Sequence, residues 1–228
     1  MLKAILFDLD GTIANTDPLH YTIWREMLLN HDIEIDETFY KSRISGRQNP
    51  QIIKDILPHL SPDLAEKFAA DKEAIFRQKA VNLQPLNGFQ ELIAWTETQP
   101  LKRALVTNAP KLNAKFMLEV LGITQIFDTI VIGEDCLRGK PDPIPYQTAL
   151  DNLGITAEES IALEDSGSGI RAAVGAGIKT IGVTSTHAAE SLKAVGAFMT
   201  ISDFTDLKLW SLLQGSNKVE EKNYCLNQ

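Results

Sequence analysis

Residues 4–15 read AILFDLDGTIAN. The apolar run 4–7 is typical of a strand that is buried on both faces of a parallel sheet. Asp8 and Asp10 follow it directly, and Gly11 then allows the chain to turn sharply. An unpaired buried carboxylate is unfavourable and normally takes up a proton or finds a cation. The stretch therefore predicts a buried strand that ends beside a positive charge.

Apolar runs alternate with helical patterns along most of the chain. Strands are expected at 3–7, 103–107, 129–132, 160–163, 180–183 and 198–201, and helices at 88–96, 111–121, 143–153 and 169–176. Strands separated by helices of this length favour right-handed crossovers and a mostly parallel sheet with helices on both faces. We therefore predict the α/β class, with a Rossmann-like, doubly wound core.

One segment has a different pattern. Residues 16–84 contain amphipathic helical patterns and no convincing strand, so we expect a helical domain inserted after the first strand. Residues 1–15 and 85–213 then form the α/β core domain. Residues 214–228 are polar and are expected to form a C-terminal tail.

Composition and charge exclude several classes of protein. The 228 residues include 22 basic and 30 acidic side chains, and the net charge of −8 argues against a nucleic-acid or membrane-surface partner. Asp8 and Asp10 interrupt the only apolar stretch near the N-terminus, and no run is long enough to span a membrane. Two cysteines are too few for a disulfide framework. We expect a cytoplasmic protein, by default a monomer.

Polar side chains follow several of the predicted strands. In an open parallel sheet, ligands bind beyond the carboxyl ends of the strands, where the strand order reverses. These ends and one loop supply carboxylates, a hydroxyl, an amide and an ammonium group: Asp8, Asp10, Thr107, Asn108, Lys140, Glu164 and Asp165. Such a set suits a divalent cation together with a phosphoryl group.

These segments resemble a known family. Residues 8–12 (DLDGT), Thr107, Lys140 and residues 163–173 (LEDSGSGIRAA) resemble, in order, the four motifs of the haloacid dehalogenase superfamily of phosphotransferases. The inserted helical segment looks like the helical cap of its β-phosphoglucomutase-like branch. Segments 17–21 (DPLHY), 72–77 (KEAIFR) and 106–110 (VTNAP) resemble sugar-phosphate phosphatases of that branch.

The resemblance implies a role for each motif residue. Asp8 would attack phosphorus and form an aspartyl-phosphate, while Asp10 would act as general acid and then as general base. Mg²⁺ would be held by Asp8, the backbone carbonyl of Asp10, Asp165 and Glu164, the last directly or through water. Lys140 and Thr107 would hold the phosphoryl oxygens.

The substrate would be a small phosphorylated metabolite, with a sugar phosphate favoured. We assign contacts with it to two core residues and four residues of the cap: Gly11, Asn108, His20, Gly46, Arg47 and Lys72. A cap that closes over a phosphorylated sugar needs polar groups directed into the cleft, although cations on a helical surface are often simply solvated.

Several alternatives stay open at this point. A β-phosphoglucomutase-type phosphomutase shares the four motifs. Such mutases carry a cap arginine three residues after the glycine, whereas here Arg47 follows Gly46 directly and Asn49 stands at the third position, which favours hydrolysis. A 2-phosphoglycolate phosphatase and a non-catalytic binding module are further possibilities. Residues 167–172 also fit the G-x-G-x-x-A dinucleotide fingerprint, but Glu164 and Asp165 immediately before it would repel a pyrophosphate.

Overall fold

The computed structural model describes the backbone of residues 1–224 and the side chains of residues 1–215. The chain forms two compact units. The core unit comprises residues 1–15 and the chain from Gln84 onward, and the helical unit comprises Thr16–Leu83.

The core unit is built on one six-stranded parallel sheet. Its strands are β1 (Ala4–Phe7), β2 (Lys102–Thr107), β3 (Thr129–Ile132), β4 (Ser160–Glu164), β5 (Lys179–Val183) and β6 (Met199–Ile201). The strand order is β3-β2-β1-β4-β5-β6. The chain builds the sheet outward from β1 in one direction and then returns to build it in the other, so the order reverses between β1 and β4. The predicted α/β, doubly wound class is confirmed.

The register of the sheet places three strand ends together. Phe7 in β1 is the pairing partner of Leu105 in β2 and of Leu163 in β4. The residues that follow Phe7 and Leu163 therefore start at the same level. Asp8 and Glu164 come next on these two strands, as the apolar runs in the sequence predict.

Helices cover both faces of the sheet. They are α5 (Phe89–Glu97), α6 (Lys111–Val120), α7 (Ile144–Leu153), α8 (Gly167–Gly175), α9 (Ala189–Ala194) and α10 (Leu207–Tyr224). On one face Leu6 packs in a buried cluster with residues of α7 and α8. On the other face the ring of Phe7 contacts the rings of Phe89 and Phe204. Burial on both faces explains why β1 is apolar throughout.

The last helix is longer than the sequence predicts. α10 continues to Tyr224, whereas we expect a polar tail from residue 214. A single glycine such as Gly215 costs a helix only about 1 kcal/mol, and the lysines and glutamates after it are good helix formers. The part of the expected tail at 225–228 lies outside the described residues.

The helical unit has its own core. Its helices are α1 (Asp17–Leu29), α2 (Glu37–Arg43), α3 (Asn49–Ile56) and α4 (Pro62–Lys79). Trp24, Tyr40, Ile53 and Phe68 belong to one buried cluster to which all four helices contribute. None of the helices in the described part of the chain combines the length and the hydropathy that a membrane span requires.

Candidate active site

The turn after β1 brings Asp8 against the end of β4. The backbone N–H of the buried Asp8 donates to the carbonyl of Leu163 at 3.0 Å. Gly11 has a φ of 79°, in the left-handed region that favours glycine. A Cβ atom at this position would lie 2.1 Å from Oδ2 of Asp165. Glycine at position 11 therefore permits both the turn and the close approach of Asp165.

Lys140 lies in the loop before α7 and connects two of the acidic residues. Its Nζ donates to Asp8 Oδ1 at 2.7 Å, to Glu164 Oε1 at 2.5 Å and to the carbonyl of Val106 at 2.7 Å. Burial acts to lower the pKa of Lys140, but the charges of Asp8 and Glu164 outweigh it and raise this pKa to about 12. The side chain is therefore a buried, charged ammonium group at neutral pH.

Three carboxylates meet around this ammonium group. Asp8, Glu164 and Asp165 each offer an oxygen atom, and these atoms lie within 4.8 Å of one another. Burial raises the pKa of Asp8 to about 7, with Lys140 opposing and Glu164 adding to the effect. Burial and the charges of Asp8 and Glu164 also raise the pKa of Asp165 well above its usual value. One ammonium group does not balance three carboxylates, and an all-oxygen donor set fits a hard divalent cation.

Glu164 is held in place by its surroundings. The hydroxyl of the buried Tyr146 donates to Glu164 Oε1 at 2.7 Å. Burial and the charge of Glu164 raise the pKa of Tyr146 well above its usual value, so the phenol keeps its proton. A Cβ atom at Gly169 would lie 1.9 Å from Glu164 Oε2. This glycine, part of the apparent dinucleotide fingerprint, leaves room for the glutamate.

The residues after β2 support the Lys140 loop. The Asn108 side chain donates to the carbonyl of Lys140 and accepts from its N–H, both at 3.0 Å. A Cβ atom at Gly133 or at Gly139 would lie 2.3 or 2.8 Å from Asn108 Oδ1. Thr107 is buried, and its Oγ1 accepts from the N–H of Ala109 at 2.9 Å. Asn108 thus has a structural role in this loop, and its contact with substrate stays a prediction.

Asp10 lies outside the carboxylate cluster. Among the described side chains, the acidic group within 4.8 Å consists of Asp8, Glu164 and Asp165. Asp10 is partly exposed at the same strand end. Its predicted acid and base roles, and the metal contact of its backbone carbonyl, stay predictions.

The helical unit contains a second polar cluster, which includes two of the predicted substrate contacts. Lys72 Nζ lies 3.0 Å from His20 Nδ1 and 2.8 Å from Glu73 Oε1, and Asn49 Nδ2 donates to the same oxygen at 2.5 Å. The His20 ring stacks on Phe76, with ring centres 4.5 Å apart. Burial acts to raise the pKa of Glu73, but Lys72, His20 and Asn49 together hold it below its usual value.

Arg47 has different partners from those of this cluster. Its guanidinium donates to the carbonyl of Arg43 at 2.7 Å and forms an ion pair with Asp55 at 2.5 Å. The hydrogen bond from Arg47 is the main reason why the pKa of Asp55 is lowered. Gly46 has a φ of 75° and supplies the turn before Arg47. The structure brings His20 and Lys72 together, while Arg47 is engaged with the helices on either side of Gly46.

Comparison with known proteins decides the family. Residues 5–183 match the family of haloacid dehalogenase-like hydrolases. The chain belongs to this family. The predicted superfamily and the predicted hydrolase class are thereby confirmed.

Several relatives of this hydrolase are named as phosphatases. The validoxylamine A 7'-phosphate phosphatase of Streptomyces hygroscopicus is 31% identical over 212 residues, which cover 91% of this chain and 97% of the relative. The phosphorylated carbohydrates phosphatase of Thermotoga maritima is 30% identical over 185 residues, covering 79% and 84%. The crystal structure of β-phosphoglucomutase from Clostridium difficile superposes with a TM-score of 0.82 at 26% identity, covering 96% and 99%.

Sequence reasoning about this hydrolase misses several residues at the site. Thr12 Oγ1 lies 3.4 Å from Asp165 Oδ1, and the hydroxyl of Thr186 bonds to Asp165 Oδ2. In the sequence, Tyr146 occupies an apolar position of the helical pattern of α7, so nothing there indicates that its hydroxyl group contacts Glu164. The position of Thr186 had a detectable signal, because its loop follows the carboxyl end of β5, where ligands of such sheets bind, but the sequence does not indicate its partner Asp165.

Proposed function

We propose that the chain is a Mg²⁺-dependent phosphatase that hydrolyses a small phosphorylated metabolite, with a sugar phosphate favoured. The main support is the buried ammonium group of Lys140, which hydrogen bonds to both Asp8 and Glu164 within a cluster of three carboxylates. Such a site attracts a cation and a phosphate dianion, and it orients one carboxylate toward them.

Asp8 is the proposed nucleophile. A carboxylate oxygen of Asp8 forms a bond to phosphorus as the bond from phosphorus to the substrate oxygen breaks, which leaves an aspartyl-phosphate. Asp10 donates a proton to the departing alkoxide. Asp10 then takes a proton from water, which attacks phosphorus, breaks the bond to Asp8 and releases inorganic phosphate.

Lys140 and Thr107 are proposed to hold the transferring group. The hydrogen bond from Lys140 fixes one oxygen of Asp8, and the ammonium charge reduces the repulsion between this carboxylate and the substrate dianion. Thr107 is buried at the end of β2 and offers a hydroxyl group to a phosphoryl oxygen. These contributions are electrostatic and positional.

Asp8, Glu164, Asp165 and the backbone carbonyl of Asp10 are the proposed ligands of Mg²⁺. When bound, the cation supplies positive charge that screens the phosphate dianion from its nucleophile. Burial raises the pKa of Asp8 to about 7 although the charge of Lys140 opposes the shift, so a bound cation would favour the ionised form of this carboxylate.

We assign the choice of substrate to the helical unit. His20 and Lys72 are the proposed contacts of the part of the substrate that remains after the phosphoryl group is transferred. The similarity to β-phosphoglucomutase keeps a phosphomutase as the second candidate. Asn49, three residues after Gly46, is neutral and donates to Glu73, which favours hydrolysis. A cytoplasmic location and a monomeric state stay predictions from the sequence.

The test is phosphate release by the purified protein over a panel of hexose and pentose phosphates. We expect release with MgCl₂, none with excess EDTA, and none from Asp8→Asn. Unchanged release of phosphate by Asp8→Asn would contradict the assignment of Asp8 as the nucleophile. Isomerisation of β-glucose 1-phosphate with almost no free phosphate, followed by ³¹P NMR, would establish the mutase instead.

A further inference from the structure

The loop after β5, residues 184–188, contacts the acidic cluster from a strand that carries none of the four motifs. Ser185 Oγ donates to the carbonyl of Gly11. The hydroxyl of Thr186 bonds to Oδ2 of Asp165 and lies 3.3 Å from the carbonyl of the same residue. The loop therefore touches both the turn after β1 and the carboxylate that follows β4.

The contacts of Thr186 form a directed chain of hydrogen bonds. Asp165 must be ionised to bind a cation, and in that form its carboxylate only accepts, so the single hydroxyl hydrogen of Thr186 points to Asp165 Oδ2. His187 Nδ1 lies 2.9 Å from the same hydroxyl oxygen and must then donate to it. In this arrangement Nδ1 of His187 carries a proton. His187 thereby orients Thr186, and Thr186 orients Asp165.

The other side of Asp165 is held as well. Thr12 Oγ1 lies 3.4 Å from Oδ1, and the Cα of Gly11 packs so closely that a Cβ atom there would meet the carboxylate. Each carboxylate oxygen thus has its own hydroxyl partner. Together with the close packing of Gly11, these two partners restrict the rotation of the Asp165 side chain.

We propose that Thr186, oriented by His187, is a positioning residue that holds the Asp165 carboxylate in the orientation required by a divalent cation. This inference rests on the proposed function, because the cation belongs to it. Hydrogen-bond partners of metal ligands typically contribute about 10- to 100-fold to metal affinity.

The test compares Thr186→Val with Thr184→Val. Both threonines are partly buried in the same loop, but the hydroxyl of Thr184 donates to the carbonyl of Ile201 at 3.2 Å. The dissociation constant of Mg²⁺ is measured by calorimetry on metal-free protein, together with the rise in melting temperature on adding MgCl₂. We expect Thr186→Val to weaken Mg²⁺ binding about tenfold or more. Thr184→Val should bind as wild type, and Thr186→Ser should restore affinity because it keeps the hydroxyl group.

Each outcome is decisive. Wild-type affinity in Thr186→Val overturns the inference and leaves the proposed function intact, and so does equal weakening in Thr184→Val, which would indicate loop packing. If Thr186→Val does not fold, His187→Phe replaces it: a several-fold loss of affinity supports the inference, and no loss overturns it. Failure of the wild-type protein to bind Mg²⁺ would instead contradict the proposed function, and this inference with it.

Discussion

At the scale of one residue, Lys140 supplies both a buried positive charge and the hydrogen bonds that hold two carboxylates in place. Its ammonium group is buried and donates to two carboxylates and a backbone carbonyl. Lys140→Met leaves the carboxylates without this charge, and loss of one partner of a buried ion pair costs about 3–5 kcal/mol. We expect the free energy of unfolding of the metal-free protein to fall by about this amount in urea titrations, and phosphate release to fall by about 10²-fold or more.

A matched substitution controls for the loss of a lysine. Lys111 forms an ion pair with Asp135, and its side chain is 63% exposed. Exposed pairs contribute at most about 1 kcal/mol, so Lys111→Met should change neither quantity much. Full activity and wild-type stability in Lys140→Met would contradict the assigned role of the ammonium group.

Asp8 makes the stability of the metal-free protein depend on pH. Burial raises its pKa from 3.8 to about 7, so the folded chain keeps a proton that the unfolded chain releases. Stability from this group is fully present below about pH 4 and is lost as the pH rises toward 7. Urea titrations in EDTA should show this decrease, and Asp8→Asn should lack its share of it. A decrease of the same size in Asp8→Asn would contradict the assignment.

At the scale of elements, the strands of the sheet can be predicted from the sequence, whereas the helices and loops around them can be predicted only in part. Parallel strands buried on both faces appear as apolar runs, which is why β1 and β4 and the polar residues after them can be located from the sequence. α9 has six residues, too few for a periodic pattern. The bond between Thr186 and Asp165 joins two different strand ends, so only the packing of the sheet reveals it.

Gly11 tests whether the turn after β1 places the carboxylates. Gly11→Ala introduces a Cβ atom 2.1 Å from Asp165 Oδ2 at a φ of 79°. Gly122 has a φ of 68° and open space around it, so Gly122→Ala isolates the cost of the backbone conformation, about 1–2 kcal/mol. We expect both variants to lose this stability in thermal melts, and Gly11→Ala alone to lose Mg²⁺ binding and phosphate release. Equal activity in the two variants would show that the close approach of Asp165 is unimportant.

At the scale of the whole molecule, the net negative charge and the buried carboxylates both favour the binding of cations. The chain carries a net charge of −8 and concentrates three carboxylates around one ammonium group. The α/β class follows from the alternation of apolar runs with helical patterns, and the family resemblance follows from the order of the four motifs along the chain. The partners of His20, Lys72 and Arg47 do not, because helical periodicity gives the buried face of a helix and not the contacts of a polar side chain.

Divalent cations should therefore stabilise the folded protein. A ligand at about 100 times its dissociation constant stabilises the folded state by about 2.7 kcal/mol, which corresponds to a rise in melting temperature of about 5–10 °C for a chain of this size. We expect this rise when MgCl₂ is added to EDTA-treated protein and followed by circular dichroism. NaCl at equal ionic strength should give a much smaller rise, because screening does not replace coordination by buried oxygens. Asp165→Asn should lose most of the response to MgCl₂. If NaCl and MgCl₂ raised the melting temperature equally, the buried carboxylates would not form a cation site.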